Sequence, residues 1–199
     1  AQNGEVLSLV SLPDFDLNLR SKNDDKIYLN KITKGVYELG SVFKTFTIAA
    51  ALEAKKIEPN TFFEKLPKKI ICGKRTIGEY DDRIPNNLSA EQILIRSSNI
   101  GSIKIARMVG EKKLKDFYKT LELFDKIIFE LEEIGKPLPI KWGKCTLETA
   151  SYGHGVTTTP LQLAKAYATL VNGGYKINPT LIKNKFKNKK KKQIISKET

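Results

Sequence analysis

A serine and a lysine three residues apart at the start of an apolar helix can do nucleophilic chemistry. In ELGSVFKTFTIAAAL, Glu38 to Leu52, Ser41 follows Gly40, and Lys44 sits among Val42, Phe43 and Phe46. At i and i+3 the two side chains share one helix face. A serine hydroxyl is a weak nucleophile until a base takes its proton. A lysine can be that base only if its amine is neutral near pH 7, and burial favours the neutral form. The helix start adds N–H donors and partial positive charge, part of an oxyanion hole. The competing reading is a surface lysine near a capping serine, and lysine is abundant here. This is, however, the only S-x-x-K in the chain.

A second piece is Ser97-Ser98-Asn99, in IRSSNIGS. The Ser97 hydroxyl can relay a proton. The Asn99 carboxamide can hold both a substrate carbonyl and the lysine amine. Alone, such a triplet is ordinary turn composition; it gains weight by following S-x-x-K. Other chemistries lack their parts. No G-x-S-x-G elbow and no Walker A loop occurs. His154, in SYGHG, is the sole histidine and reads as a loop residue in a glycine-flanked turn rather than a general base. It cannot complete a zinc site with Cys72 and Cys145 alone, so neither metal nor cofactor is expected. The two cysteines are expected to be ordinary thiols; a disulfide between them stays open, since their wide spacing cannot reveal one.

These residues need elements to position them. Residues 4–12, with apolar side chains on both faces, read as a central strand stopped by Pro13. The S-x-x-K helix is expected over 41–55, blocked by Pro59. A short hairpin is read around Cys72–Gly73. Ser89 and Gln92 form a capping-box pattern, with Leu88 and Ile93 as a hydrophobic staple. They open a helical lobe over 89–123 that carries Ser-x-Asn. Residues 124–143 read as irregular. Thr159, Pro160 and Gln162 open a further helix over 160–171, closed by Asn172-Gly173-Gly174. One strand cannot make a sheet, so an α+β domain lacking part of its sheet is expected.

At these motifs the chain resembles the penicillin-recognising serine acyltransferases. The segments GEVLSLVSLPDFDLN, KGVYELGSVFKTFT, IRSSNIGSIKIAR and SYGHGVTTTPLQLAKAYATLVNGG are similar to class B penicillin-binding proteins, and among them to the division-specific peptidoglycan D,D-transpeptidases. The resemblance runs to about Pro179. It implies an antiparallel sheet with helices on both faces and a mainly helical lobe, the fold shared with serine β-lactamases. It implies Ser41 as acyl-enzyme nucleophile, Lys44 as general base, Ser97 as proton relay and Asn99 as the residue positioning Lys44 and the donor peptide. It also implies D-Ala-D-Ala stem peptides as substrate, β-lactams as ligands, membrane proteins of division or wall synthesis as partners, and the periplasmic face of the inner membrane as location. Two departures stand out. Leu39 replaces the proline that many relatives carry before Gly-Ser. No K-T-G, the strand motif that binds the substrate carboxylate, occurs in these 199 residues. Residues 1–182 are therefore expected to be a partial transpeptidase domain from a longer protein, inactive or nearly so alone. Readings as a β-lactam sensor or a β-lactamase share S-x-x-K.

Composition bounds the remainder. The chain is 40% hydrophobic and 29% charged, with a net charge of +13. That is globular composition. Eight lysines against one glutamate in 183–199 supply +7 of this charge. The segment is expected to be a solvated basic tail or a connection to further chain. A nucleic-acid-binding protein is the alternative from another class, but no such motif accompanies the charge and no nucleic acid is expected as partner. No apolar run is long enough to span a bilayer. No signal peptide is visible, and the only methionine is Met108.

Overall fold

The computed structural model describes residues 2–16, 18–19, 25–183 and 192–199. The described chain falls into two units. The first combines 38–120, 139–156 and 198–199 and holds the residues with candidate chemistry. A 3-10 turn, Gly40–Phe43, leads directly into α1 (Lys44–Glu53). Two short antiparallel pairs follow: β1 (Phe62–Phe63) with a later strand, and the hairpin β2 (Lys69–Cys72) with β3 (Arg75–Gly78). The partner of β1 is β4 (Leu88–Ser89). Then come α2 (Ala90–Ile95), α3 (Asn99–Val109), α4 (Glu111–Thr120) and the short α5 (Thr146–Ala150).

Local chemistry explains the starts. Ser89 accepts from the Gln92 N–H while the Gln92 side chain accepts from the Ser89 N–H, closing a capping box at α2. The core of this unit is aliphatic and aromatic: Phe43, Phe46, Ile93, Ile100, Ile103 and Leu114 are all fully buried. Gly101 lets α3 approach closely, since a Cβ there would stand 2.5 Å from Ile93.

The two cysteines are not thiols. Cys72 and Cys145 form a disulfide with Cα atoms 5.7 Å apart, across 73 residues of sequence. It ties the β2–β3 hairpin to the segment just before α5. The hairpin brings Cys72 to its own edge, and only the tertiary packing brings Cys145 to meet it. That is why spacing could not show the bond.

The second unit combines the described residues of 1–37, 121–138 and 157–197. Its helix is α6 (Pro160–Val171), with Thr159 and Gln162 in a capping box and Pro160 in the first turn. Leu123, Ala166 and Ile177 lie in its core. Lys165 and Lys176 both pair with Glu122. The strand expected over 4–12 is not formed. Glu5 makes a single parallel bridge to Thr180, flanked by Val6 N–H to Thr180 O and Thr180 N–H to Gly4 O. Beyond that point the segment finds no further ladder among the described residues, and Leu7, Val10 and Leu12 are exposed. Apolar pattern without paired backbone does not make a strand. Residues 184–191 of the lysine-rich segment lie outside the described residues. Its described end, 192–199, is no solvated tail. Ile195 is 3% exposed, and the Ile194 N–H donates to Gly174 O.

Candidate active site

Ser41 and Lys44 meet because the chain turns tightly before α1. Gly40 takes a positive φ of +64°, which only glycine adopts cheaply. Ser41 then stands exposed on the 3-10 turn while Lys44 faces inward. Its neighbours on either side in the pattern, Phe43 and Phe46, are fully buried and pack edge to face at 5.6 Å. Lys44 is itself only 1% exposed. Its Nζ donates to Ser41 Oγ at 3.1 Å, to Ser97 Oγ at 2.8 Å and to the Ser97 carbonyl. Burial pulls its pKa down from 10.5 to about 8, and the negative charge of Glu79 works weakly against this. Roughly a tenth of such amines are neutral at pH 7, against almost none for a free lysine.

Ser97 reaches Lys44 through a strained turn. It holds φ +53°, left-handed for a residue with a side chain. The end of α2 fixes it: Ser97 N–H donates to Leu94 O at 3.0 Å, and Ser98 N–H to Ile93 O at 2.9 Å. Asn99, the first residue of α3, lies beside the site but donates its Nδ2 to the Gly78 carbonyl at 3.0 Å. The hydroxyl and carbonyl of Ser97, rather than the Asn99 amide, hold Lys44 in this structure.

Three contributors carried no sequence signal. Glu79, just after β3, accepts hydrogen bonds from residues 98–100. The buried Tyr118 hydroxyl donates to Ala150 O at 3.1 Å, and Thr47 Oγ1 donates to Ser151 O at 2.8 Å. These bonds fasten α1 and α4 to the turn 151–155. Burial pushes the Tyr118 phenol well above its usual pKa, so it stays neutral. From that turn, Gly155 N–H donates to Glu38 Oε2 at 3.0 Å. The neighbours of His154 are the same carboxylate, at 3.4 Å, and the stacked ring of Tyr152.

Gly153 presses on the turn that carries Ser41. Its φ is +80°, and a Cβ there would stand 2.1 Å from Gly40 O. Gly153→Ala is expected to destabilise this unit by ~2 kcal/mol through strain and backbone displacement. Thermal unfolding checks this; an unchanged midpoint would show that the contact is slack.

Fold and site together define a class: a helical lobe on which an exposed serine and a buried lysine one turn on share a face, with a second serine across the lysine. The chain belongs to the penicillin-binding protein transpeptidase domain family, whose model matches residues 1–199. It is 38% identical over 173 residues to the probable peptidoglycan D,D-transpeptidase FtsI of Caulobacter vibrioides, covering 86% of this chain and 29% of that protein. It is 34% identical over 177 residues to the probable peptidoglycan D,D-transpeptidase PenA of Neisseria flavescens, covering 87% and 43%. Among solved structures, the apo transpeptidase domain of Burkholderia pseudomallei penicillin-binding protein 3 superposes with a TM-score of 0.83 at 25% identity, covering 98% of this chain and 55% of that one. The chain thus spans less than half the length of these curated relatives.

Proposed function

We propose that the protein carrying this chain is a peptidoglycan D,D-transpeptidase acting through a serine acyl-enzyme, in septal wall synthesis. The observation that carries this reading is the buried Lys44 amine, 3.1 Å from Ser41 Oγ and 2.8 Å from Ser97 Oγ. In the neutral form it takes the Ser41 proton as Oγ attacks the carbonyl between two D-alanines. The tetrahedral intermediate collapses, and the C–N bond breaks. The departing D-alanine amine receives a proton through the Ser97 hydroxyl. An amine of a neighbouring stem peptide then attacks the ester, forms the cross-link and restores Ser41 Oγ–H. Asn99, fixed by Gly78, offers its side-chain oxygen toward the donor peptide.

A β-lactam would acylate the same serine by ring opening. The Cys72–Cys145 disulfide supports an oxidising compartment, in keeping with the periplasmic face of the inner membrane. Among the described residues no helix is long and apolar enough to cross a membrane.

The test is acylation of the full-length gene product by a penicillin, followed by peptide mapping. A stable adduct on the peptide containing Ser41 is expected. Rapid turnover of the drug would instead indicate a β-lactamase, and absence of any adduct would sink the proposal.

A further inference from the structure

Glu79 occupies a position that no motif marks. One carboxylate collects three donors from consecutive residues. Its Oε1 accepts from Ser98 Oγ at 2.5 Å and from Ile100 N–H at 3.3 Å, and its Oε2 accepts from Asn99 N–H at 2.7 Å. The preceding residue, Gly78, accepts from the Asn99 side chain. The end of β3 therefore grips both the backbone and the side chain of Asn99. Ser98 Oγ in turn accepts from Gly101 N–H at 2.9 Å, so the same carboxylate holds the capping residue of α3. A carboxylate at a helix start is favoured by the helix dipole. Ser97 sits immediately before this clamp, in its left-handed turn, with its hydroxyl on Lys44.

We propose that Glu79 is a positioning residue for chemistry at Ser41: it locks the Ser97–Asn99 turn against Lys44. The proposal rests on the reading of Ser41 and Lys44 as nucleophile and base. A hydroxyl that relays protons must keep its place to well under an ångström, and misplacement by about 1 Å costs on the order of 10²-fold. The turn cannot hold itself, because a left-handed serine relaxes unless its surroundings prevent it.

The electrostatic arm follows from which groups face Lys44. Glu79 is the charged group whose field reaches it. Ser41 and Ser97 are neutral hydroxyls, and Tyr118, facing α1 from α4, is a neutral phenol. On α2, Glu91 and Arg96 are exposed; on α3, Lys104 is exposed and Arg107 pairs with Glu148. On α4, Lys115 pairs with Glu111. Glu79 thus holds Lys44 more basic than burial alone would.

The experiment compares Glu79→Gln and Glu79→Asp in the full-length protein, using a chromogenic cephalosporin across pH. Glu79→Gln keeps the shape, so the variant should fold. Its plateau acylation rate is expected to fall roughly 10–100-fold. Its rising limb should move toward acid by about half a pH unit or more, because the charge that favours protonated Lys44 is gone. Glu79→Asp should retain the wild-type limb. A helix cap without this role would lower the plateau and leave the limb in place, and that outcome overturns the proposal, as does a Glu79→Gln protein of wild-type rate. Direct titration of Lys44 Nζ in ¹⁵N-lysine-labelled protein reads the same bias without acylation. An unshifted Lys44 in Glu79→Gln overturns the proposal there, whereas a wild-type protein that never labels at Ser41 overturns the functional reading alone.

Discussion

Replacing Lys44 with methionine is expected to lower the rate of serine acylation by roughly 10²–10⁴-fold. The substitution suits the site. Lys44 is 1% exposed, so its stem is already buried and a methionine of similar length can take its place. What disappears is the amine proposed as the base. In the wild-type protein the acylation rate should climb with pH and level off above about 8, where burial has brought the Lys44 pKa. A protonated amine accepts no proton, so activity belongs to the deprotonated side of that value. Lys44→Met should lose the limb as well as the rate. Its stability should not fall at neutral pH. The folded-state pKa lies below the unfolded one, so between roughly pH 8 and 10 the unfolded chain binds the extra proton. Stability conferred by the neutral amine is therefore present above that window and lost as pH falls through it, and methionine has no charge to bury. Stopped-flow acylation beside a thermal melt at pH 7 measures both. A variant that keeps its rate and its limb would remove Lys44 from the mechanism.

The second large effect concerns the disulfide. Changing Cys72 and Cys145 together to serine is expected to destabilise the unit that carries Ser41 by ~4 kcal/mol, because the bond closes a loop spanning 73 residues of sequence. For a unit of this size that is a drop of roughly 20 °C in the unfolding midpoint. The same loss should follow reductant in the wild-type protein and should be absent in the double variant. The bond anchors the hairpin whose end carries Gly78 and Glu79. Acylation should therefore slow before the fold is lost. If reductant left the wild-type midpoint unmoved, the bond would carry no such load.

What could be read in the sequence was what is encoded within a turn or two. The capping boxes at Ser89 and Thr159 span only four residues each, and both form. The i, i+3 spacing of Ser41 and Lys44 needs only a helical start. The contributors that escaped are long-range. Glu79 meets Ser98 across 19 residues, and Cys72 meets Cys145 across 73. Neither distance leaves a periodicity to find. The segment 4–12 failed in the opposite way: its apolar pattern was present, but the hydrogen-bonding partners a strand requires are supplied at Thr180 alone among the described residues. The Asn99 side chain reads as a lysine partner from its chemistry; the bond its Nδ2 makes to the Gly78 carbonyl, which only tertiary structure brings near, left no mark in the sequence.

The contact between Glu38 and Gly155 spans 117 residues, and Gly153 abuts Gly40 across nearly as many. The turn beneath Ser41 is thus completed by chain that the ribosome makes long after Ser41 itself. Contacts of such separation form late, because a long loop must close before they contribute. A nascent chain that ends before residue 155 lacks the buttress under Ser41. Reactivity could then not appear before this stretch is made, and copies that lack it would be poor targets for acylating drugs.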